Sequence, residues 1–171
     1  MSARQKLFNK ITQNLPPGKV EWIGLRTERR APMTLVERVE VLAGRGLKGD
    51  RSAAKASGSA RQVSFISLEH IQAVARLLGK TQIDPALLRR NIVISGVNIH
   101  ALRYQQFTIN GVLFEASAQC HPCSRMDENL GAGGHAAMLG HGGICARVLS
   151  EGDIHVGDAV IKIDQPEGLA G

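Results

Sequence analysis

Phe107-Thr108-Ile109-Asn110-Gly111-Val112-Leu113-Phe114 is the stretch on which the fold is read. Two apolar, β-forming arms flank Asn-Gly, the pair that most readily adopts the two positive φ angles of a type I′ turn, so these residues predict a two-residue β-hairpin. The second arm continues through Ala118-Gln119-Cys120 and delivers a cysteine to a strand end.

Outward from the hairpin the signals remain mostly β. Ile144 to Leu149, Ile154 to Val156 and Ala159 to Ile163 read as short strands separated by Glu151-Gly152-Asp153 and Gly157-Asp158. Upstream, Val20 to Leu25 and Val36 to Val41 alternate as half-buried strands, while Gln62 to Ile66 is apolar enough for a buried one. Ser67 stands as N-cap to an amphipathic helix carrying Leu68, Ile71, Val74, Ala75 and Leu78 and ending at Gly79. Asp84-Pro85 starts a second, short helix, closed by Arg89 and Arg90 as cations suited to its dipole; Ile92 to Ile94 follows as a strand. The pattern predicts an α+β, predominantly β domain on a closed or nearly closed barrel with a few short helices.

The 171 residues, 43% of them hydrophobic, suit a single core. Expected divisions are a lead-in over 1–18, amphipathic or disordered, a domain over 19–164 and a tail over 165–171. No long apolar run occurs, so neither a secretory signal nor a membrane span is expected and a cytoplasmic location is; the acid-free lead-in is also compatible with an organellar presequence. Aromatics at 4% disfavour a base-stacking nucleic-acid surface. The net charge of +6 is local: Arg45, Lys48, Arg51, Lys55 and Arg61 surround one acid, Asp50, in a small-residue stretch that reads as a phosphate-binding loop or as a solvated one.

Chemistry concentrates in Cys120-His121-Pro122-Cys123-Ser124-Arg125 and Gly140-His141-Gly142-Gly143. Pro122 stiffens the approach to Cys123 and favours a turn there. Four readings apply: buried small thiols, a disulfide, a zinc site, or one reactive thiol. An odd total of three cysteines with no secretory signal weakens the disulfide. Cys120, Cys123, His135 and His141 nearly match a zinc-finger spacing, but residues 124–134 lack a finger's apolar pattern and the glycines disfavour a helix carrying the histidines. The reactive-thiol reading gives Cys123 sulfur chemistry or soft-metal ligation, with Arg125 as a nearby cation.

Taken together, Gly46-Leu47-Lys48-Gly49-Asp50-Arg51, Leu88-Arg89-Arg90-Asn91-Ile92, His121 to Met126, Gly140 to Ile144 with Ala146-Arg147-Val148, and Val156-Gly157-Asp158 resemble the MOSC domain, in order from about Val20 to Ile163. That family includes the C-terminal module of molybdenum-cofactor sulfurases and single-domain proteins. The resemblance implies a MOSC-type β-barrel, similar to the pyruvate-kinase β-barrel domain, and a role in binding molybdenum cofactor or carrying sulfur to metal–sulfur centres. It makes Cys123 the molybdenum ligand or persulfide carrier, with His141 orienting ligand or moving a proton. It makes Arg51, Arg90, Arg125 and Arg147 phosphate or pterin contacts, Asn91 a polar orienter, and Gly142-Gly143 an N–H surface for an anion. Ser52 and Leu139 depart from the pattern, where relatives carry other polar residues. None of the seven lysines sits in a Schiff-base context, so pyridoxal phosphate would belong to a separate cysteine desulfurase donor. Two alternatives are a molybdenum-cofactor-dependent reductase of N-hydroxylated compounds, which needs an electron-transfer partner, and a non-enzymatic zinc-stabilised module. The oligomeric state is not readable.

Overall fold

A computed structural model describes residues 1–55 and 58–165. Its strands are β1 (Gly18–Leu25), β2 (Thr34–Leu35), β3 (Arg38–Leu42), β4 (Gly46–Leu47), β5 (Val63–Ser67), β6 (Ile92–Ser95), β7 (Gln106–Ile109), β8 (Val112–Gln119), β9 (Ile144–Val148), β10 (Gly152–His155) and β11 (Ala159–Lys162). The helices are α1 (Ala3–Ile11), α2 (Leu68–Leu77), α3 (Arg125–Leu130) and α4 (Gly134–Ala137), with 3-10 turns at Pro85–Leu88 and Ile99–Leu102.

The hairpin forms as its turn chemistry requires: Ile109 pairs with Val112, and Asn110 and Gly111 take φ of 48° and 76°. It sits in a sheet of order β11-β7-β8-β9-β5-β6-β1-β2, and β11 pairs back onto β1 through Gly18–Val160 and Lys19–Ala159. Seven strands thereby close a barrel, with β2 attached outside the ring on β1. Closure removes the open edges an eight-strand sheet would present. Strands β10, β3 and β4 form a separate three-stranded sheet.

Inward-facing residues fill the barrel, where Phe65, Phe107 and Phe114 meet at centroid distances of 5.3 to 5.5 Å. Strands β5 and β6 are buried on both faces: Phe65, Ile92 and Ile94 point in, whereas Ile66 and Val93 point out under the helices. Each such side chain is worth about 1.5–3 kcal/mol of burial, so this outer layer is what anchors the helices. Ile71, Val74 and Ala75 of α2 pack there with Met126 and Leu130 of α3 and with Met138.

Two local expectations change, and the open reading of the lead-in is narrowed. The lead-in forms a helix, α1, capped by reciprocal Ser2–Gln5 hydrogen bonds and tied to the C-terminal segment through Asn9 and Gln165. The helix expected after Asp84 is only a 3-10 turn that ends with Arg89 at φ 61°, too short to present a dipole for Arg89 and Arg90 to complement. Short helices do form between Cys123 and His141. Met126 and Leu130, four residues apart, bury one face of α3, and Gly134 lets α4 lie against the Met126 carbonyl, where a Cβ would collide. Apart from Gln165, the expected tail lies outside the described residues.

Candidate functional site

The cysteine segment leaves β8 after a bulge between Ala116 and Ala118, where the Ser117 hydroxyl bridges the carbonyls of Ala60 and Cys145. The Cys120 N–H donates to the Gly143 carbonyl at 2.9 Å as a last rung, and the chain then turns through Pro122. Cys123 is exposed on this turn, its carbonyl accepting from Met126 N–H (3.0 Å) at the start of α3. All three cysteines are free thiols.

Beside that turn lies a group of guanidiniums. Arg89 is depressed from its usual value, first by burial and then by the like charges of Arg26, Arg51 and Arg125, with only Asp50 opposing. The group is held from below by a buried network. Asp50, 3% exposed, accepts from the Arg26 N–H (2.7 Å), Arg26 Nη2 (3.1 Å), Ser52 N–H (3.0 Å) and Asn91 Nδ2 (2.9 Å). Burial alone would raise the Asp50 carboxyl, but these bonds and the Arg26 charge win and lower it. Asn91, fully buried, also donates to the Gly24 carbonyl and accepts from Arg26 Nη2, the Ser64 N–H and the Ser64 hydroxyl. Ser52 accepts from Arg26 Nη2 at 2.9 Å.

Of the residues named from sequence, Arg51 and Arg125 join this group; Asn91 orients it from the core and not from the ligand side. Arg90 is buried and spends its guanidinium on the backbone carbonyls of Gly142 (2.8 Å), Leu88 (3.1 Å) and Cys120 (3.5 Å), so it fixes the two segments to each other. Gly142 and Gly143 are small because a Cβ would strike the Cys120 and Phe65 carbonyls, respectively, which is close backbone packing. Arg147 is on the exposed face of β9, 3.4 Å from Glu115, away from the guanidinium group. The His141 ring lies 4.8 Å from His70, which lies 5.3 Å from His100, and the Nδ1 atoms of all three are buried without a hydrogen-bond partner among the described residues. Burial, followed by the charges of His141 and His100, lowers His70.

Arg26 and Arg89 are the functional candidates that were not marked in the sequence. Arg26 directly follows β1, a visible strand end, but the partner that makes it useful lies 24 residues on. The Cys145 thiol donates a hydrogen bond to the Cys120 sulfur, and with the charges of Arg90, Arg61 and Arg26 this outweighs burial and lowers the Cys120 thiol. Cys145 is pushed up by the same bond and by its burial.

The zinc set is not assembled: His135 lines a different cavity with Asp127 and Leu139, and no group of three or more metal-binding side chains converges among the described residues. A hollow of about 830 Å³ runs along α2 by Gln72, Arg76 and Ile83, with none of the cysteines in its lining. No helix among the described residues is long and apolar enough to cross a membrane.

Comparison with known proteins adds a family. The family described as MOSC domain matches over residues 52–161. Among solved structures, the YUAD protein from Bacillus subtilis superposes with a TM-score of 0.73 at 19% identity, covering 88% of this chain and 98% of that one. YiiM from Geobacillus stearothermophilus gives 0.68 at 16% identity over 89% and 78%, and YiiM from Escherichia coli 0.65 at 16% over 88% and 72%. At these identities the likeness is one of fold. No curated protein matches.

Proposed function

Because the chain belongs to the MOSC domain family, whose match spans well over half of it, we propose that it binds a phosphate-bearing molybdenum pterin cofactor and uses Cys123 as thiolate ligand or sulfur carrier. The observation that supports this reading is an exposed thiol, Cys123, two residues from Arg125, whose charge acts with those of Arg26 and Arg51 on Arg89 against the Asp50 carboxylate. That donor set fits the group. Arginine's planar fork suits a phosphate, and thiolate is a soft ligand.

When bound, the cofactor would supply a redox-active, sulfur-binding metal. The chain's part is to hold and orient it. The Asp50–Asn91 network fixes Arg26 before any ligand arrives, so the phosphate meets a preorganised charge. Arg90 keeps Cys120 and Gly142 in register, which sets where the turn bearing Cys123 begins. His141, its ring 4.8 Å from that of His70, is placed to orient the ligand.

In sulfur delivery, the Cys123 thiolate attacks the outer sulfur of a donor's persulfide. The donor's S–S bond breaks, the donor leaves as thiolate, and Cys123 holds the new persulfide. A separate pyridoxal-phosphate desulfurase is the natural donor.

Anaerobic mixing with molybdenum cofactor, followed by metal analysis of wild type and Cys123→Ala, tests the reading. Near-stoichiometric molybdenum in wild type, reduced at least tenfold in the variant, is expected. Equal loading of both proteins, or of neither, would overturn it.

A further inference from the structure

A second basic region lies on the other side of the cysteine segment. A cavity of about 320 Å³ is lined by Arg4, Arg61, Arg103, Tyr104, Gln119 and His121, among others. Its three arginines come from α1, from the loop before β5 and from the end of a 3-10 turn, so only the folded chain assembles them. Among the described residues none of the three forms an ion pair with a carboxylate. Arg103 is nonetheless positioned: Nη2 donates to the Tyr104 hydroxyl at 3.0 Å, and its guanidinium lies 5.7 Å from the Phe8 ring and 5.3 Å from the Tyr104 ring. Phe8 and Tyr104 meet edge to face at 5.1 Å, locking α1 onto this wall.

Converging cations with no internal counter-charge mark a place for an external anion. We infer that this cavity is a second anion site, separate from the Cys123-side arginines, that takes a small doubly charged oxyanion such as a dicarboxylate or a phosphate monoester. The volume fits a metabolite-sized acid and not a pterin cofactor together with its phosphate tail. The Tyr104 hydroxyl is the neutral donor that would complete the arginine forks, and its phenol is already held below the ordinary range by hydrogen bonds from Arg4 and Arg103. Gln119 and His121 line both this cavity and a small recess of about 20 Å³ that also touches Cys120.

This inference is independent of molybdenum binding, and so is its test. Tyr104 is the only tyrosine in the chain, so its phenolate absorbance reports on the cavity alone. An anion seated among the arginines takes up Tyr104's donors and adds negative charge, so its titration midpoint rises. The midpoint is followed at constant ionic strength as chloride is replaced by malonate or by inorganic phosphate. A saturable rise with either anion supports the site, and the tighter of the two identifies the ligand as dicarboxylate or phosphate. In Arg61→Gln, which leaves Tyr104's hydrogen bonds in place, the anion's apparent affinity falls at least tenfold; in Arg51→Gln it is unchanged. A rise no larger than that in chloride, or one equally present in Arg61→Gln with native circular dichroism, overturns the inference.

Discussion

The two basic regions that flank the cysteine segment are built in opposite ways. On the Cys123 side, Arg26 is bonded into a buried hub of Asp50, Asn91 and Ser64, and Arg89 feels the charges of Arg26, Arg51 and Arg125 with Asp50 opposing. On the Tyr104 side, Arg103 rests on the Phe8 and Tyr104 rings and, with Arg4 and Arg61, lines a cavity. The difference separates rigidity from availability: the first region is preorganised by the core and coupled to its stability, whereas the second is attached to the surface and can change without cost to the fold.

The largest expected break in that contrast is at the hub. Asn91→Ala leaves the Ser64 and Asp50 groups and the Gly24 carbonyl short of partners, at about 1–3 kcal/mol each, so a loss of about 3–5 kcal/mol in urea unfolding is expected. A change under about 1 kcal/mol would show that the hub does not anchor the first region.

Acid tests the same hub next. Asp50's folded value lies below its unfolded one, so its stabilisation is fully present above the unfolded carboxyl value of about 3.9 and is lost as pH falls through the lowered native value. Asp50→Asn should remove this acid step from unfolding curves taken between neutral pH and pH 2; an unchanged step contradicts the assignment.

Cys120 receives charge from both regions, Arg90 and Arg26 on one side and Arg61 on the other. In Cys123→Ser, alkylation of Cys120, followed by mass spectrometry, should therefore show a midpoint below the ordinary thiol range, and Arg61→Gln should move it upward. A midpoint in the ordinary thiol range would remove the link. The smallest effect is expected at Arg103→Gln, which loses exposed cation–π contacts and should cost less than about 1 kcal/mol in the same urea assay.

What could be read from sequence divides along the same line, between local and distant causes. The β7–β8 turn, the Ser67 cap and the alternation of β3 depend on neighbouring residues and form as expected. The Met126–Leu130 pair was equally local and legible as a helix face, but the glycines after it drew attention away. Barrel closure through β1 and β11 joins residues some 140 apart, and no local pattern encodes it. Among the site residues, Cys123 was visible by its motif and stands on an exposed turn. The arginines were visible only as charges. Which of them gather, and that Arg90 serves the backbone while Arg26 and Arg89 face the site, depends on the Asp50–Asn91 contact across 41 positions.

The contrast is measured most directly by the affinity of the chain for isolated molybdenum pterin cofactor, determined anaerobically for two double variants. Arg51→Gln with Arg125→Gln removes two charges from the hub-side group; Arg61→Gln with Arg103→Gln removes two from the cavity. Charge-assisted hydrogen bonds are worth about 1.5–3 kcal/mol each, so the first pair should weaken binding at least tenfold and the second less than threefold. Equal losses in both, or a loss confined to the cavity pair, would contradict the placement of the cofactor's phosphate beside Cys123.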